Sequence, residues 1–269
     1  MINLEIRFQM YSTINRLSDM QNIRTNIQAL NKQNPAPFSN DIIYNYSTYL
    51  RNNDIYLKDD REHYVAPIPF DQIVGIEQMY GDDSTWGQCI EGRWLKRLKQ
   101  RLIELEDNPQ YYLSEVELPN LSFIKVGSKY FISTGKHRTI IARFLSYFNP
   151  EVFSNRSPFE FAKVTECFID TEYASFKRRF DAVTDNYPSL IFKLQHTTAE
   201  DDLHFLLIRE NRANGKSEVF TRAQAYQVLD ALESPSVKEK WNSGSVYYNS
   251  NIYSFIPYQT CFKAFFGHP

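Results

Sequence analysis

The sequence predicts an α/β fold of the α+β kind, and three patterns carry that reading. Phe123 to Leu145 (FIKVGSKYFISTGKHRTIIARFL) sets two strand-forming runs around the turn residues Gly127-Ser128, then passes Gly135 into an apolar stripe at helical spacing. Ala162 to Ile169 (AKVTECFI) has strand character. Apolar residues recur with a helical period from about Thr85 to Glu106, over residues 171 to 183, and after Thr221. A chain of 269 residues has ample material for a core. The organisation expected is an N-terminal extension (1–60), an α/β core (61–183) and a helical C-terminal region (184–269).

Taken in order, residues 1 to 11 suit a strand or an ordered arm. Ser18 with Gln21 forms a capping-box pattern, and Leu17, Met20, Ile23, Ile27 and Leu30 predict an amphipathic helix to about Leu30. Asn34-Pro35-Ala36-Pro37 stops it. Ile42 to Leu50 fits strand or helix, Asn52-Asn53-Asp54 a turn, and Lys58 to Glu62 a solvated loop. Tyr80-Gly81-Asp82-Asp83 is a turn before the long helix of about Thr85 to Glu106. Leu95, Leu98, Leu102 and Leu105 share one side of that helix, and Arg93, Lys96, Arg97 and Arg101 lie off it. Asp107-Asn108-Pro109 terminates it.

After the hairpin, Ile140, Ile141, Phe144, Leu145 and Phe148 form the buried face of a helix, with Arg138 and Arg143 facing elsewhere. Glu151 to Phe161 is a loop around Pro158, and the helix over 171–183 packs Phe176, Phe180 and Val183 while Lys177-Arg178-Arg179 meets solvent or a polyanion. Thr198 with Asp201 signals a helix start before Leu203, Phe205, Leu206 and Leu207, and Asn211 to Ser217 is a connection. Thr221 with Gln224 opens a helix carrying Tyr226, Leu229 and Leu232, and a short helix over 237–241 follows Pro235. This pair lacks the basic face of a DNA-reading helix-turn-helix, because Asp230, Glu233 and Glu239 offset Arg222, Lys238 and Lys240. The aromatic tail from Tyr247 to Phe266 suits packing or a protein partner.

Composition narrows the function classes. The net charge of −2 excludes a strongly basic nucleic-acid coat but leaves room for a local basic patch. Twenty Phe and 18 Tyr beside 9 Gly predict aromatic-rich packed layers. Three widely spaced cysteines (Cys89, Cys167 and Cys261) form neither a disulfide framework nor a zinc motif. The first residues lack a basic start followed by an apolar block, and no run reaches spanning length, so a cytoplasmic location and no membrane partner are expected.

The chemistry concentrates at the glycine corner. Ser133 and Thr134 are candidate caps, and the first helical turn opens near Lys136-His137-Arg138. A helix start presents N–H groups without intrahelical acceptors and a partial positive charge; two fixed cations and an imidazole join them here, which describes a phosphate or carboxylate site. No Walker A, HExxH, GxSxG or dinucleotide pattern accompanies the corner.

The hairpin followed by Gly135-Lys136-His137-Arg138 and an apolar helix resembles the ParB/sulfiredoxin-like superfamily, and Thr134 to Arg138 is similar to the corner of its DGQHR-domain relatives. Tyr64 to Phe70 looks like the family's first strand and its exit, with Ile73-Val74 beyond; Ala162 to Ile169 looks like the strand that completes its sheet. The resemblance spans roughly residues 60 to 170. It implies that Thr134, Gly135, Lys136, His137 and Arg138 bind the phosphates of a nucleotide or phosphorylated ligand. Three departures stand out. Thr134 replaces the acid of DGQHR proteins, and Lys136 replaces the glutamate of many partition proteins. Lys136 also stands where sulfiredoxins carry their catalytic cysteine, so sulfinic acid reduction by that route is excluded.

Members of the superfamily differ in activity, so three functions remain open. The first is a phosphate-ligand-binding protein of nucleotide or nucleic-acid transactions. The second is a nucleotide hydrolase or small-molecule kinase, with a nucleotide and Mg2+ as cofactors. The third is a non-catalytic interaction module. No catalytic or metal residue is assigned, although Glu77, Glu91, Glu166 and Asp170 are carboxylates near the motif region. Arg93, Lys96, Arg97 and Arg101, joined by Lys177, Arg178 and Arg179, form the expected nucleic-acid face, with DNA or a nucleotide as partner.

Overall fold

The computed structural model describes residues 23–78, 84–113, 120–153, 159–187, 191–196, 205–211 and 216–235. The chain divides into two compact units, Met1–Ile169 and Asp170–Pro269. The α/β class expected from sequence holds. Among the described residues, no helix is long and apolar enough to cross a membrane.

The first unit is built on a mixed seven-stranded sheet. Its strands are β1 (Ile42–Asn45), β2 (Leu57–Ala66), β3 (Ile73–Ile76), β4 (Ser84–Thr85), β5 (Ser122–Val126), β6 (Lys129–Thr134) and β7 (Ala162–Ile169), in the order β2-β7-β5-β6-β3-β1-β4. The β5–β6 hairpin is antiparallel and turns through Gly127, whose φ is +57°. β7 lies parallel to β5, and β3 lies parallel to both β6 and β1. Strand alternation divides the hairpin between two faces. Phe123, Tyr130 and Ile132 join the main core, whereas Ile124, Val126 and Phe131 pack with Cys167 against Tyr46, Tyr49 and Leu50.

Ile42 to Leu50, open between strand and helix in sequence, is both. β1 ends at Asn45, whose side chain accepts the Thr48 N–H at 3.0 Å and starts α2 (Tyr46–Asn52). The preceding helix, α1 (Ile27–Gln33), runs to the residue before Asn34-Pro35, past the expected end at Leu30. Ser18, Gln21 and the arm at 1–11 lie outside the described residues.

Three expectations are corrected within this unit. Lys58 to Glu62 is not a loop but part of β2, whose exposed charges suit its place at one edge of the sheet, where they discourage further strand pairing. The single helix of about Thr85 to Glu106 is two: α3 (Trp86–Ile90), capped by a Thr85–Gln88 box, and α4 (Leu98–Asp107). The break falls where Gly92 and Trp94 take φ of +109° and +63°, conformations that no helix continues through. The third concerns α5 (Lys136–Phe148), which buries the apolar face read from sequence but also Arg143. The Arg143 guanidinium lies between the rings of Phe38 and Trp86, at 4.2 and 4.0 Å from their centroids, so cation–π attraction replaces an ion pair. Burial pulls it down to about 10, against the opposing fields of Asp41 and Asp71.

The second unit contains α6 (Thr171–Thr184), a three-stranded antiparallel sheet and α7 (Arg222–Glu233). The strands are β8 (Ile191–His196), β9 (Phe205–Asn211) and β10 (Lys216–Phe220), in the order β10-β9-β8. Residues expected to extend a helical region are therefore strands, and Phe205 to Leu207 belongs to one of them. Its run Phe-Leu-Leu-Ile suits a strand as well as a helix, and the capping signal at Thr198 and Asp201 lies outside the described residues. The Thr221–Gln224 box opens α7 as expected. The turn at 80–83, Pro158, the helix at 237–241, the aromatic tail and Cys261 also lie outside the described residues.

Candidate anion site

β6 ends at Thr134, whose hydroxyl meets that of Ser122 at 2.6 Å, and the chain turns through Gly135 into α5. Gly135 has φ +89°, and a Cβ there would stand 2.8 Å from Leu121 Cδ1 and 3.2 Å from the Asn120 carbonyl oxygen. Only glycine combines this conformation with this approach. The Gly135 carbonyl accepts the Thr139 N–H at 3.0 Å, and among the described residues no side chain caps the helix. The first-turn N–H groups, at Lys136, His137 and Arg138, are those for which an α-helix supplies no acceptor.

These residues open onto a cavity of about 410 Å³. Ile76 and Gln78 line it from the end of β3, Ser133 and Thr134 from β6, Gly135, Lys136, His137 and Arg138 from the corner, Asn120 from the segment before β5, and Arg101 from α4. Every corner residue nominated from sequence is therefore brought to one cavity. Arg101, nominated for a nucleic-acid face, joins them because α4 packs against α5.

Electrostatics at this corner are dominated by positive charge. His137 is held below the ordinary imidazole value, first by desolvation and then by Lys136, Arg101 and Arg97. Its Nε2 is buried and has no hydrogen-bond partner among the described residues. The Arg138 guanidinium stacks over the Tyr111 ring at 4.7 Å from the centroid; desolvation and Arg101 lower it, and Glu104 opposes them. Arg101 pairs with Glu104 on the exposed side of α4. Cys89 of α3 is pushed up to about 12 by burial, while Arg93 and Lys136 act the other way.

The other nominated residues are dispersed. Arg93 lies 5.7 Å over the Trp94 ring and donates to Gln88 Oε1 at 3.2 Å, and Lys96 and Arg97 are exposed. Lys177, Arg178 and Arg179 belong to the second unit. Lys177 pairs with Asp181 at 2.5 Å, Arg178 donates to the Ala174 carbonyl, and Arg179 is held by Asp230 and Glu233. Glu77 accepts the Ser133 hydroxyl at 2.5 Å. Glu166 is bonded to Lys125 at 2.9 Å and Tyr64 at 2.7 Å. Asp170, 1% exposed, caps α6 by accepting the Tyr173 N–H. Glu91 is exposed.

No carboxylate occurs among the described lining residues, and no group of three or more His, Cys, Asp or Glu placed to hold a metal occurs among the described residues. Sequence reading missed Gln78, Asn120 and the ring support from Tyr111, because these come from segment ends with no motif of their own. Compared with family models, with curated proteins and with solved structures, the chain matches none.

Proposed function

We propose that this chain is a phosphate-ligand-binding protein of nucleotide or nucleic-acid transactions, with a corner related in kind to that of ParB/sulfiredoxin-like proteins. The observation that carries the reading is the convergence of Arg101, Lys136, His137 and Arg138 on one cavity that no described carboxylate lines. Cations gathered at one partly desolvated cavity favour an anionic ligand over a neutral or cationic one. A tetrahedral oxyanion suits the donors: helix N–H groups in a cluster, a planar guanidinium and a flexible ammonium. Binding is favoured over catalysis because Glu77 and Glu166, the half-buried acids nominated from sequence, are engaged with Ser133 and with Lys125 and Tyr64.

The test is mass spectrometry of freshly purified protein for retained nucleotides, then calorimetry with the ligand found and with inorganic phosphate. Each charge-assisted contact contributes about 1.5–3 kcal/mol. Replacing Lys136 and Arg138 together by alanine should therefore weaken binding at least about 100-fold while leaving circular dichroism unchanged. Equal affinity in the folded double variant refutes the assignment. A nucleic-acid role is tested separately by fluorescence anisotropy with DNA at two salt concentrations. Changing Arg93, Lys96 and Arg97 together to glutamate should remove low-salt binding, and undiminished binding takes this face out of the site.

A further inference from the structure

We infer that the cavity takes its oxyanion as a sugar phosphate, free or within a nucleotide, and that Gln78 and Asn120 hold the sugar hydroxyls. The inference rests on the anion-binding reading above and adds what is esterified to the anion. Size is the first observation. A bare tetrahedral oxyanion has five non-hydrogen atoms, and at roughly 30 Å³ for each it takes up at most about 150 Å³. The cavity of about 410 Å³ lies within the range of small-molecule sites, so more than half of it faces the remainder of a ligand.

Sheet topology decides what that remainder meets. β6 leads into the corner, and its two neighbours in the sheet are β5 and β3. β5 runs antiparallel to β6, so its start lies beside the end of β6, with Ser122 opposite Thr134. β3 runs parallel to β6, so its end lies there too: Ile76 is opposite Ile132, and the Glu77 N–H donates to the Ile132 carbonyl at 2.9 Å. Asn120, just before β5, and Gln78, just after β3, therefore flank the corner from opposite sides, and both line the cavity. Asn120 is also held there. Its φ of +59° is in the left-handed region that asparagine tolerates, and the buried Leu121 anchors the chain after it. Its carbonyl oxygen comes to 3.2 Å from where a Gly135 Cβ would stand.

The chemistry of these walls suits hydroxyl groups. Each primary amide carries a carbonyl acceptor and two N–H donors, and each sugar hydroxyl both donates and accepts. Ser133 gives its hydrogen to Glu77, and Thr134 meets Ser122, so the hydroxyls at the end of β6 are already engaged. Neither amide has a hydrogen-bond partner among the described residues. Position selects the sugar over the base of a nucleotide. The amides adjoin the corner, and the atoms nearest a bound phosphate are those of the sugar, which separates the phosphate from the base.

Calorimetry on the full chain compares sulfate, inorganic phosphate, ribose 5-phosphate and adenosine 5′-monophosphate. Sulfate stays a dianion across neutral pH and reports the anion site alone. Ribose 5-phosphate should bind at least about 10-fold tighter than either bare anion, the effect of two or more neutral hydrogen bonds. In Gln78→Leu combined with Asn120→Gly, which keeps the left-handed turn, that preference should shrink to less than about threefold. If that variant fails to fold, wild type answers with 2′,3′-dideoxyadenosine 5′-monophosphate, which lacks the hydroxyls and should bind about 10-fold weaker than its parent. Adenosine 5′-monophosphate no more than about threefold tighter than ribose 5-phosphate assigns the site to the sugar phosphate as such, and a larger margin assigns it to the nucleotide. Ribose 5-phosphate no tighter than the bare anions, an undiminished preference in the folded variant, or a dideoxy nucleotide that binds like its parent overturns the sugar contact while leaving the anion site standing. Absence of binding by all four probes overturns the site and the sugar contact together.

Discussion

Gly135→Ala tests the corner on which the site depends. The methyl group would occupy a residue at φ +89°, with Leu121 Cδ1 at 2.8 Å, the Asn120 carbonyl oxygen at 3.2 Å and Leu121 Cα at 3.5 Å. Two costs add. An L-residue in the left-handed region loses about 1–2 kcal/mol, offset by about 0.4–1 kcal/mol because alanine also restricts the unfolded chain. Crowding adds about 1–3 kcal/mol, since Leu121 is itself packed into the core and cannot simply swing away. The sum is about 1–5 kcal/mol, centred on about 3 kcal/mol. Gly92→Ala isolates the first term, because Gly92 has φ +109° but nothing within 4 Å of its Cβ position, so about 1 kcal/mol is expected there. Urea unfolding followed by tryptophan fluorescence reads the difference, and with a slope of about 3 kcal/mol per molar the Gly135→Ala midpoint should fall by roughly 1 M. Sulfate affinity should fall in Gly135→Ala and persist in Gly92→Ala. Equal midpoints for the two variants would refute the close approach of Leu121 and Asn120, and an unshifted Gly135→Ala would refute the left-handed corner itself.

Two further outcomes are expected. Tyr111→Leu should weaken sulfate binding about 3- to 30-fold by releasing the Arg138 guanidinium from the ring it stacks on, whereas Tyr111→Phe keeps the ring, removes an unpartnered buried hydroxyl and should be no less stable than wild type. If both variants bind like wild type, Arg138 is not positioned by that ring. At the other end of β5, Lys125 and then Tyr64 hold the Glu166 carboxyl below the usual glutamate range. A depressed carboxylate contributes stability that is present above its unfolded value and lost as pH falls through its folded one. Glu166→Gln should therefore flatten the acid limb of the stability profile below about pH 5, and identical limbs in the two proteins would show that the cluster contributes nothing to it.

The parts legible in the sequence are those fixed by short-range chemistry. Gly127, Gly135 and the alternation between them specify a hairpin and a corner, the Thr221–Gln224 box specifies a helix start, and AKVTECFI specifies a strand to its last residue. What sequence could not show is set by neighbours distant in the chain. Lys58 to Glu62 has the composition of a loop and becomes a strand because β7 supplies a ladder partner; its charges then face outward along an edge. The apolar positions keep a helical period through a break made by Gly92 and Trp94, because Trp86, Cys89 and Ile90 before it and Leu95, Leu98 and Leu105 after it are buried in one core. The site divides the same way. The corner residues are contiguous and visible, whereas Arg101 reaches them only because α4 packs on α5, and Arg143 is drawn inward by Phe38 and Trp86, which lie far from it in sequence.

Arg101, Lys136 and Arg138 around a half-buried histidine also bear on stability. Desolvation first, and the field of neighbouring cations second, lower both His137 and Arg138, which is a standing cost to the folded chain. A group with a depressed imidazole pKa binds its proton more readily when unfolded, so acidification through the ordinary histidine range drives the anion-free protein toward unfolding. An anion bound at the corner would oppose the field of those cations. Ligand at 100 times its dissociation constant adds about 2.7 kcal/mol to the folded state. His137→Gln removes the titrating group, so its stability should fall less than that of wild type as pH drops through the ordinary histidine range, and identical profiles in chemical denaturation would take His137 out of that loss.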